Sequence, residues 1–425
     1  MDDGFPLAVW QRLAEGVVEA GSVAAFLERP TAGTPRLLLE DQRRLQRRAA
    51  QKVPDPERWL WTRKLLEQAS DHHAASLMAS FFPDEVPVID ICCGAGADSL
   101  ALAQRGPLTA VDASAVACWL AWTNLRLHRY PAASPTPSAE VARSAASPAR
   151  IIHAFAERLV FDPAAWLHID PDRRSAAGRT VQVEHFQPAR DFLGKLVAGS
   201  AGGSIKVAPA TPWETPGPLS GRPEAEAGWP DAMGIQFVSW GRSVRQQRWW
   251  WNVEQFPPGH TTLSVFDEGQ RWSHWTVPAA RPSLQGVAAV IEENAEAIEG
   301  YVGDGDPGLR AARLQPRLAE ARQWRLIGGQ QGYFLCRSAS PPPNDPLIDW
   351  FAIEAVMPLD RKRLRRYFRQ HGVGCLEIKT RGVDCQPEQL RRELKLAGEN
   401  SRSLLLTRCS DRVLAVVASR FPRTV

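Results

Sequence analysis

The chain has no apolar run long enough to resemble a helix that spans a bilayer. Its first ten residues contain two aspartates and no basic-then-apolar run, which argues against a secretory signal. Cysteine is sparse and odd in number. The seven residues (Cys92, Cys93, Cys118, Cys336, Cys375, Cys385 and Cys409) form no C-x-x-C pair. Neither a disulfide framework nor a zinc site is expected from them, and a reduced cytoplasm is the natural compartment. No metal centre, no membrane partner and no internal repeat is expected.

What is present is a globular composition, 44% hydrophobic and 23% charged, over 425 residues, a length that suggests two or three domains. The net charge of +4 is unevenly spread: from Pro358 to Val425 there are 16 Lys/Arg against 7 Asp/Glu, a local balance of +9, so the remainder is mildly acidic. A basic tail domain on an acidic body suits a polyanion, although a solvated arginine-rich face has the same composition.

Residues up to Pro87 read as helical, with apolar spacing at Leu60, Leu65, Leu66 and Ala69. Strands are then expected at Val88–Cys92, Leu108–Asp112, Arg150–His153, Trp166–Asp170 and Ser204–Ala208, with helices at Ala97–Gln104, Ala115–His128 and around Ala189–Val197. Alternation at this spacing predicts a parallel sheet covered by helices. Pro131–Ala149 reads as a surface insertion. Further strands are expected at Ile235–Trp240, Arg248–Val253 and Thr261–Phe266. Ser338–Pro346 reads as a linker, and the segment after it as a compact α+β unit. The expected domains are 1–87, 88–337 and 347–425.

One stretch carries chemistry. In Val88–Asp98 an acid, Asp90, sits inside an apolar strand, and Gly94 and Gly96 follow at the turn into a helix. Glycines there allow positive φ and close ligand approach. A dinucleotide site would want a third glycine, but Asp98 and Ser99 stand where it would fall. S-adenosylmethionine has no phosphate and carries an amino-acid tail, so it suits this loop better. Asp112, 22 residues after Asp90, ends the second strand where an acid accepts from ribose hydroxyls. Taken singly, the glycines are a tight turn and Asp112 a helix cap; taken together they form a cofactor signal. The expected cofactor set is Asp90, Cys92, Gly94, Gly96, Asp98, Asp112, Glu157 and Asp170. Cys92 and Cys93 are read as packing groups in preference to reactive thiols.

The fourth strand runs into Asp170-Pro171-Asp172-Arg173-Arg174. Amino-directed methyltransferases have Asn/Asp-Pro-Pro-Tyr at this place. Here Asp170 and Pro171 are kept, while Asp172 and Arg173 replace the second proline and the aromatic. Asp170 is the expected catalytic residue, orienting or deprotonating the acceptor. Pro171, Arg173 and Arg174 are expected to meet the substrate, the arginines (with Arg179) either binding an anion or pairing with Asp170 and Asp172. His153, His168 and His185 are weaker candidates for a base.

These residues resemble the bacterial class I methyltransferases that end in a THUMP-like domain. The resemblance rests on Trp61-Thr62-Arg63, the Asp90–Asp98 stretch, Asp170–Arg174, Ile205–Pro209, and above all Gly374–Asp384 and Leu404–Arg408. It departs at Ala97, where the family has a further glycine, and at the run Trp249–Trp251, read here as a packed strand more readily than as a stacking face for bases. The resemblance implies an α/β, Rossmann-like sheet, parallel but for an antiparallel strand, preceded by helices and followed by a small α+β domain. It implies S-adenosyl-L-methionine as cofactor and kinship with RNA-modifying enzymes but supplies no substrate; with the basic C-terminal domain, RNA, such as tRNA or rRNA, is the expected one. A small-molecule or protein methyltransferase is the alternative. A catalytically silent RNA-binding protein is a further one, disfavoured because Asp90, the glycine pair and Asp112 are all intact.

Overall fold

The structure, a computed structural model, describes residues 4–130, 132, 134–137, 149–172, 174–175, 178–179, 181–212, 233–266, 271–278, 291–338, 340–342 and 345–421. Most of the expected insertion at Pro131–Ala149 lies outside these residues. The chain divides into two compact units, 1–236 with 247–260, and 237–246 with 261–425. The second therefore begins well ahead of the boundary expected near 338–346.

Five helices open the first unit: α1 (Leu7–Ala20), α2 (Val23–Glu28), α3 (Arg36–Ala49), α4 (Arg63–Gln68) and α5 (His72–Ala79). Leu60 was expected on a helix with Leu65 and Leu66, but 59–62 is not helical. The reason is a competing set of hydrogen bonds. Asn124 accepts from the Leu60 N–H (2.7 Å) and donates to the Leu60 carbonyl (3.1 Å), while Gln42 exchanges two bonds with the Trp61 backbone. The Thr62 hydroxyl then caps α4 by accepting from the Leu65 N–H, so the helix starts only at Arg63.

The sheet follows as expected. Strands β1 (Val88–Ile91), β2 (Leu108–Asp112), β3 (Arg150–His153), β4 (Trp166–Ile169) and β5 (Gly202–Val207) alternate with α6 (Ala97–Ala103), α7 (Ala115–Leu127) and α8 (Arg190–Ala198). All five are parallel in the order β3-β2-β1-β4-β5, in register from Val88 opposite both Leu108 and Trp166. The antiparallel strand is β6 (Ser243–Trp251), whose Trp249, Trp250 and Trp251 pair with Ile205, Ser204 and Gly203. All three tryptophans are buried, and Trp250 stacks on Phe256 with ring centroids 4.8 Å apart. The run is core packing. The chain reverses its direction of travel across the sheet between β1 and β4, and the carboxyl ends of strands at such a point open a crevice.

The second unit is built on a sheet of β7 (Tyr301–Gly305), β8 (Arg325–Ile327), β9 (Tyr333–Cys336), β10 (Ile348–Pro358), β11 (Val373–Thr380), β12 (Asn400–Cys409) and β13 (Arg412–Arg420). The two-residue strand Ile291–Glu292 starts an order of β8-β9-β7-β10-β13-β12-β11. Ser338–Pro346, expected as a linker, thus joins two strands of one sheet, because β10 pairs with β7 along Tyr301–Gly305. Helices α9 (Pro307–Ala311) and α10 (Gln315–Ala321) precede β8. Helices α11 (Arg361–Gln370) and α12 (Pro387–Leu394) bury Leu364, Phe368, Leu390 and Leu394 against Leu376, Leu404 and Val417 of the sheet.

Candidate functional site

The carboxyl ends of β1, β2 and β4, with the residues that follow β3, enclose a cavity of about 670 Å³, within the range of cofactor sites. Its centre is the turn after β1. Cys92, Gly94 and Gly96 all have left-handed backbones (φ 63°, 56° and 83°), and a side chain on Gly96 would press on the Cα of Ala121 at 3.2 Å. Only glycine suits that position, since α7 lies against it. Asp112 holds the turn open from the next strand: its carboxylate accepts from the Gly94 N–H (2.9 Å) and the Ser114 N–H (2.8 Å). Asp112 also borders the cavity, so the carboxylate that holds the turn is part of its lining.

The lining is acidic. Asp90, Asp98, Asp112, Glu157, Asp170 and Asp172 border the cavity, against Lys64 and Arg158. Lys64 is paired with Asp172 at 3.4 Å, and the Arg158 guanidinium lies over the Phe155 ring at 5.1 Å. Two of the six acids are buried below the surface. The Asp90 carboxylate is hydrogen-bonded to the Ser99 hydroxyl, and burial pushes its pKa up to about 7, against the opposing pull of His168 and Ser99. Burial also acts on Asp98, but Lys206, His168 and Arg248 around it hold its carboxyl well below the usual range.

Those partners were not legible as a site in the sequence. Arg248 is fully buried with its guanidinium 3.6 Å from Asp98, and His168 Nε2 is also 3.6 Å away. Lys206 Nζ donates to Asp170 (2.6 Å) and to the Ser70 hydroxyl (3.0 Å), which itself donates to Asp98 (2.8 Å). Asp98 is thus a node of a buried network at the floor of the cavity, and Asp170 is anchored to the same network through Lys206. Asp170 and Pro171 border the cavity together with Cys92 and the cis-bonded Gln187-Pro188. Arg173 and the side chains of Arg174 and Arg179 lie outside the described residues.

The helical preface contributes a wall that the sequence reading missed. Lys64, Leu65, Gln68, Ala69 and Ser70 border the cavity, as do Ala154, Phe155, Ala156 and Glu157 after β3. Phe155 is 53% exposed and gives the cavity an aromatic wall. Of the histidines, His168 is sealed beneath the floor on Ser204 and Asp98, and neither His153 nor His185 borders the cavity. The thiols of Cys92 and Cys93 are raised well above their ordinary pKa by burial and then by Asp112, so neither is poised as a thiolate. Among the described residues no group of His, Cys, Asp and Glu is arranged to hold a metal, and no helix is long and apolar enough to cross a membrane.

Comparison with known proteins follows this geometry. Residues 348–420, from the start of β10 to the end of β13, match the family described as THUMP domain-like. The chain ends in a THUMP-like domain. Two curated proteins from two strains of Mycobacterium tuberculosis, described as uncharacterized S-adenosylmethionine-dependent methyltransferases, are each 25% identical over 373 residues, covering 86% of this chain and 90% of their own. A solved structure of a candidate methyltransferase from Porphyromonas gingivalis covers 99% of this chain and 100% of its own, with a TM-score of 0.68 at 16% identity. The fold of the first unit is that of the class I methyltransferases.

Proposed function

We propose that this chain is an S-adenosylmethionine-dependent methyltransferase acting on RNA. The observation that carries the cofactor is the acidic rim of the cavity: among the described residues Asp112, Glu157, Asp170 and Asp172 stand above the buried Asp90 and Asp98, against Lys64 and Arg158, each already engaged, around a glycine turn at a sheet reversal. Such a lining attracts the sulfonium and ammonium of S-adenosylmethionine and repels the pyrophosphate of a dinucleotide. In this reading the turn at Gly94–Gly96 receives the amino-acid tail and Asp112 accepts from the ribose hydroxyls. Glu157 and Phe155 lie on the nucleoside side. The two mycobacterial relatives, named for the same cofactor, support it.

Transfer from a sulfonium needs alignment of acceptor, methyl and sulfur more than covalent help. The acceptor atom bonds the methyl carbon, the carbon–sulfur bond breaks to give a neutral thioether, and the acceptor gives up a proton. Asp170, anchored by Lys206 at 2.6 Å and beside the rigid Pro171, is the residue set to orient that acceptor. RNA is favoured as substrate by the THUMP-like match and the +9 balance of Pro358–Val425. The test is incubation with methyl-labelled S-adenosylmethionine and total RNA, then separately with protein and metabolite extracts. Label in RNA alone is expected; label only in one of the other fractions overturns the substrate.

A further inference from the structure

The basic helix α11 is the obvious place to look for phosphate contacts, yet part of it is already engaged. Asp360 caps it, Arg361 pairs with Glu393 of α12 at 2.5 Å, and Arg365 donates to the Glu393 carbonyl. A different group of charges in the second unit is less satisfied. Asp304, at the end of β7, is buried among cations from three other segments: Arg381 at 2.7 Å, Lys379 at 3.0 Å, Arg242 at 3.0 Å and Arg310 at 3.9 Å. Lys379 alternates with Glu377 along one face of β11, and Arg381 follows just past its end. Arg242 comes from the turn before β6, and Arg310 from α9. Glu377 pairs with Lys379 (3.1 Å) and Arg420 (2.9 Å), and Asp349 with Arg242 (3.6 Å) and Arg420 (3.5 Å). Five cations therefore share three carboxylates. Asp306 acts on Arg310 from farther off, its own carboxylate accepting from the Gly308 N–H at 2.7 Å.

Three buried donors in this group have no acceptor: Arg242 Nη1, Arg381 Nε and the hydroxyl of Tyr333. Tyr333 is fully buried, and the Arg381 guanidinium sits over its ring at 5.4 Å. Buried donors are rarely left unmet, and all three call for the same complement, a group with several acceptor oxygens and negative charge. Like charges are crowded as well: the Arg310 pKa is lowered by burial and then by Arg381 and Arg242.

We propose that Arg242, Arg310, Lys379 and Arg381, gathered around Asp304 with Tyr333 beneath them, form a phosphate-binding site that takes a phosphate of the RNA substrate. Planar guanidinium forks match phosphate oxygens in pairs, and Asp304 fixes the cations in place before the ligand arrives. The inference rests on the RNA reading above and adds the residues that make the contact.

The test uses the full chain in two arms. In the first, inorganic phosphate is titrated while the melting midpoint is followed. Wild type is expected to show a saturable rise, Lys379→Met to lose it, and Asp304→Asn, which removes the competing carboxylate, to reach it at several-fold lower phosphate. A gain of affinity is a change that misfolding cannot imitate. No rise in wild type, or no gain in Asp304→Asn, overturns the site. In the second arm, 5′-phosphorylated and 5′-hydroxyl RNA oligonucleotides are titrated across salt. Lys379→Met is expected to weaken RNA binding about tenfold at low salt and to flatten the log–log salt slope by about one. A preference for the phosphorylated oligonucleotide assigns a terminal phosphate, and equal binding assigns the backbone. Wild-type RNA affinity and slope in Lys379→Met overturn this proposal and leave the RNA reading intact. No RNA binding by wild type overturns both.

Discussion

In the first unit Lys206 and Arg248 are buried beneath carboxylates that reach the cavity, whereas in the second Asp304 and Asp349 are buried beneath cations that reach outward. The side chains of Lys206 and Arg248 are 5% and 1% exposed beneath Asp170 and Asp172, which are 22% and 39% exposed. In the second unit Asp304 is 3% exposed and Asp349 8%, under Lys379, Arg381 and Arg242 at 18%, 24% and 31%. The counts of charge differ in the same sense, and the order of burial sharpens the difference: the inner layer is fixed, and the outer layer sets the sign of the ligand.

That comparison is tested hardest by removing the buried carboxylate at the heart of each cluster. Asp98→Ala leaves Lys206 and Arg248 buried without their carboxylate and is expected to cost about 3–5 kcal/mol of stability in denaturant unfolding. Asp304→Ala is expected to cost less, about 1–3 kcal/mol, because its cations are partly exposed and can rehydrate. Equal losses would break the layered account.

The next effect is a pH dependence in the first unit. The folded pKa of Asp90 is raised to about 7 from an ordinary 3.8. Its contribution to stability is therefore full below about pH 4 and is lost as pH rises through 7. Asp90→Asn is expected to be more stable than wild type at pH 8, by on the order of 4 kcal/mol, and to have no such advantage at pH 4. Asp98 runs the other way: its depressed pKa supplies stability above the ordinary carboxylate range that is lost as pH falls. A difference between Asp90→Asn and wild type that stays constant from pH 4 to 8 would remove the buried ionisable carboxylate from the floor.

Smaller effects fall on the outer layer. Asp112→Ala is expected to weaken S-adenosylmethionine binding by about 1–3 kcal/mol, read by calorimetry. Asp170→Ala is expected to change cofactor affinity least, by less than about 0.5 kcal/mol, while lowering turnover on the labelled RNA fraction, the pattern of a contact made mainly in the transition state. Equal losses of binding and turnover would move Asp170 from the acceptor to the cofactor.

The parts of this arrangement carried by local pattern were legible in the sequence. The strand, glycine turn and helix at Val88–Ala103 announce themselves within a few residues, and so does the α+β unit after Ser338–Pro346, with its helices Arg361–Gln370 and Pro387–Leu394. The tryptophan run was legible as a strand because aromatics favour strands, and its burial agrees. What was not legible depends on chain-distant partners. Asp98 sits in the glycine motif and reads as a ligand, but Ser70, His168, Lys206 and Arg248 converge on it from four other segments. Leu60 fits a helical spacing, yet Asn124, 64 residues away, claims its backbone. The arginines of α11 look unpaired when only neighbours in sequence are counted, and Glu393 answers from the next helix.

The central claim is that the acidic cavity of the first unit binds S-adenosylmethionine, and the most direct test is a calorimetric titration of the full chain with S-adenosylmethionine, S-adenosylhomocysteine and a nicotinamide dinucleotide. The account expects one saturable site for the first two ligands, weakened in Asp112→Ala, and no heat from the dinucleotide. Binding of the dinucleotide in their place, or S-adenosylmethionine binding that Asp112→Ala leaves unchanged, would contradict it.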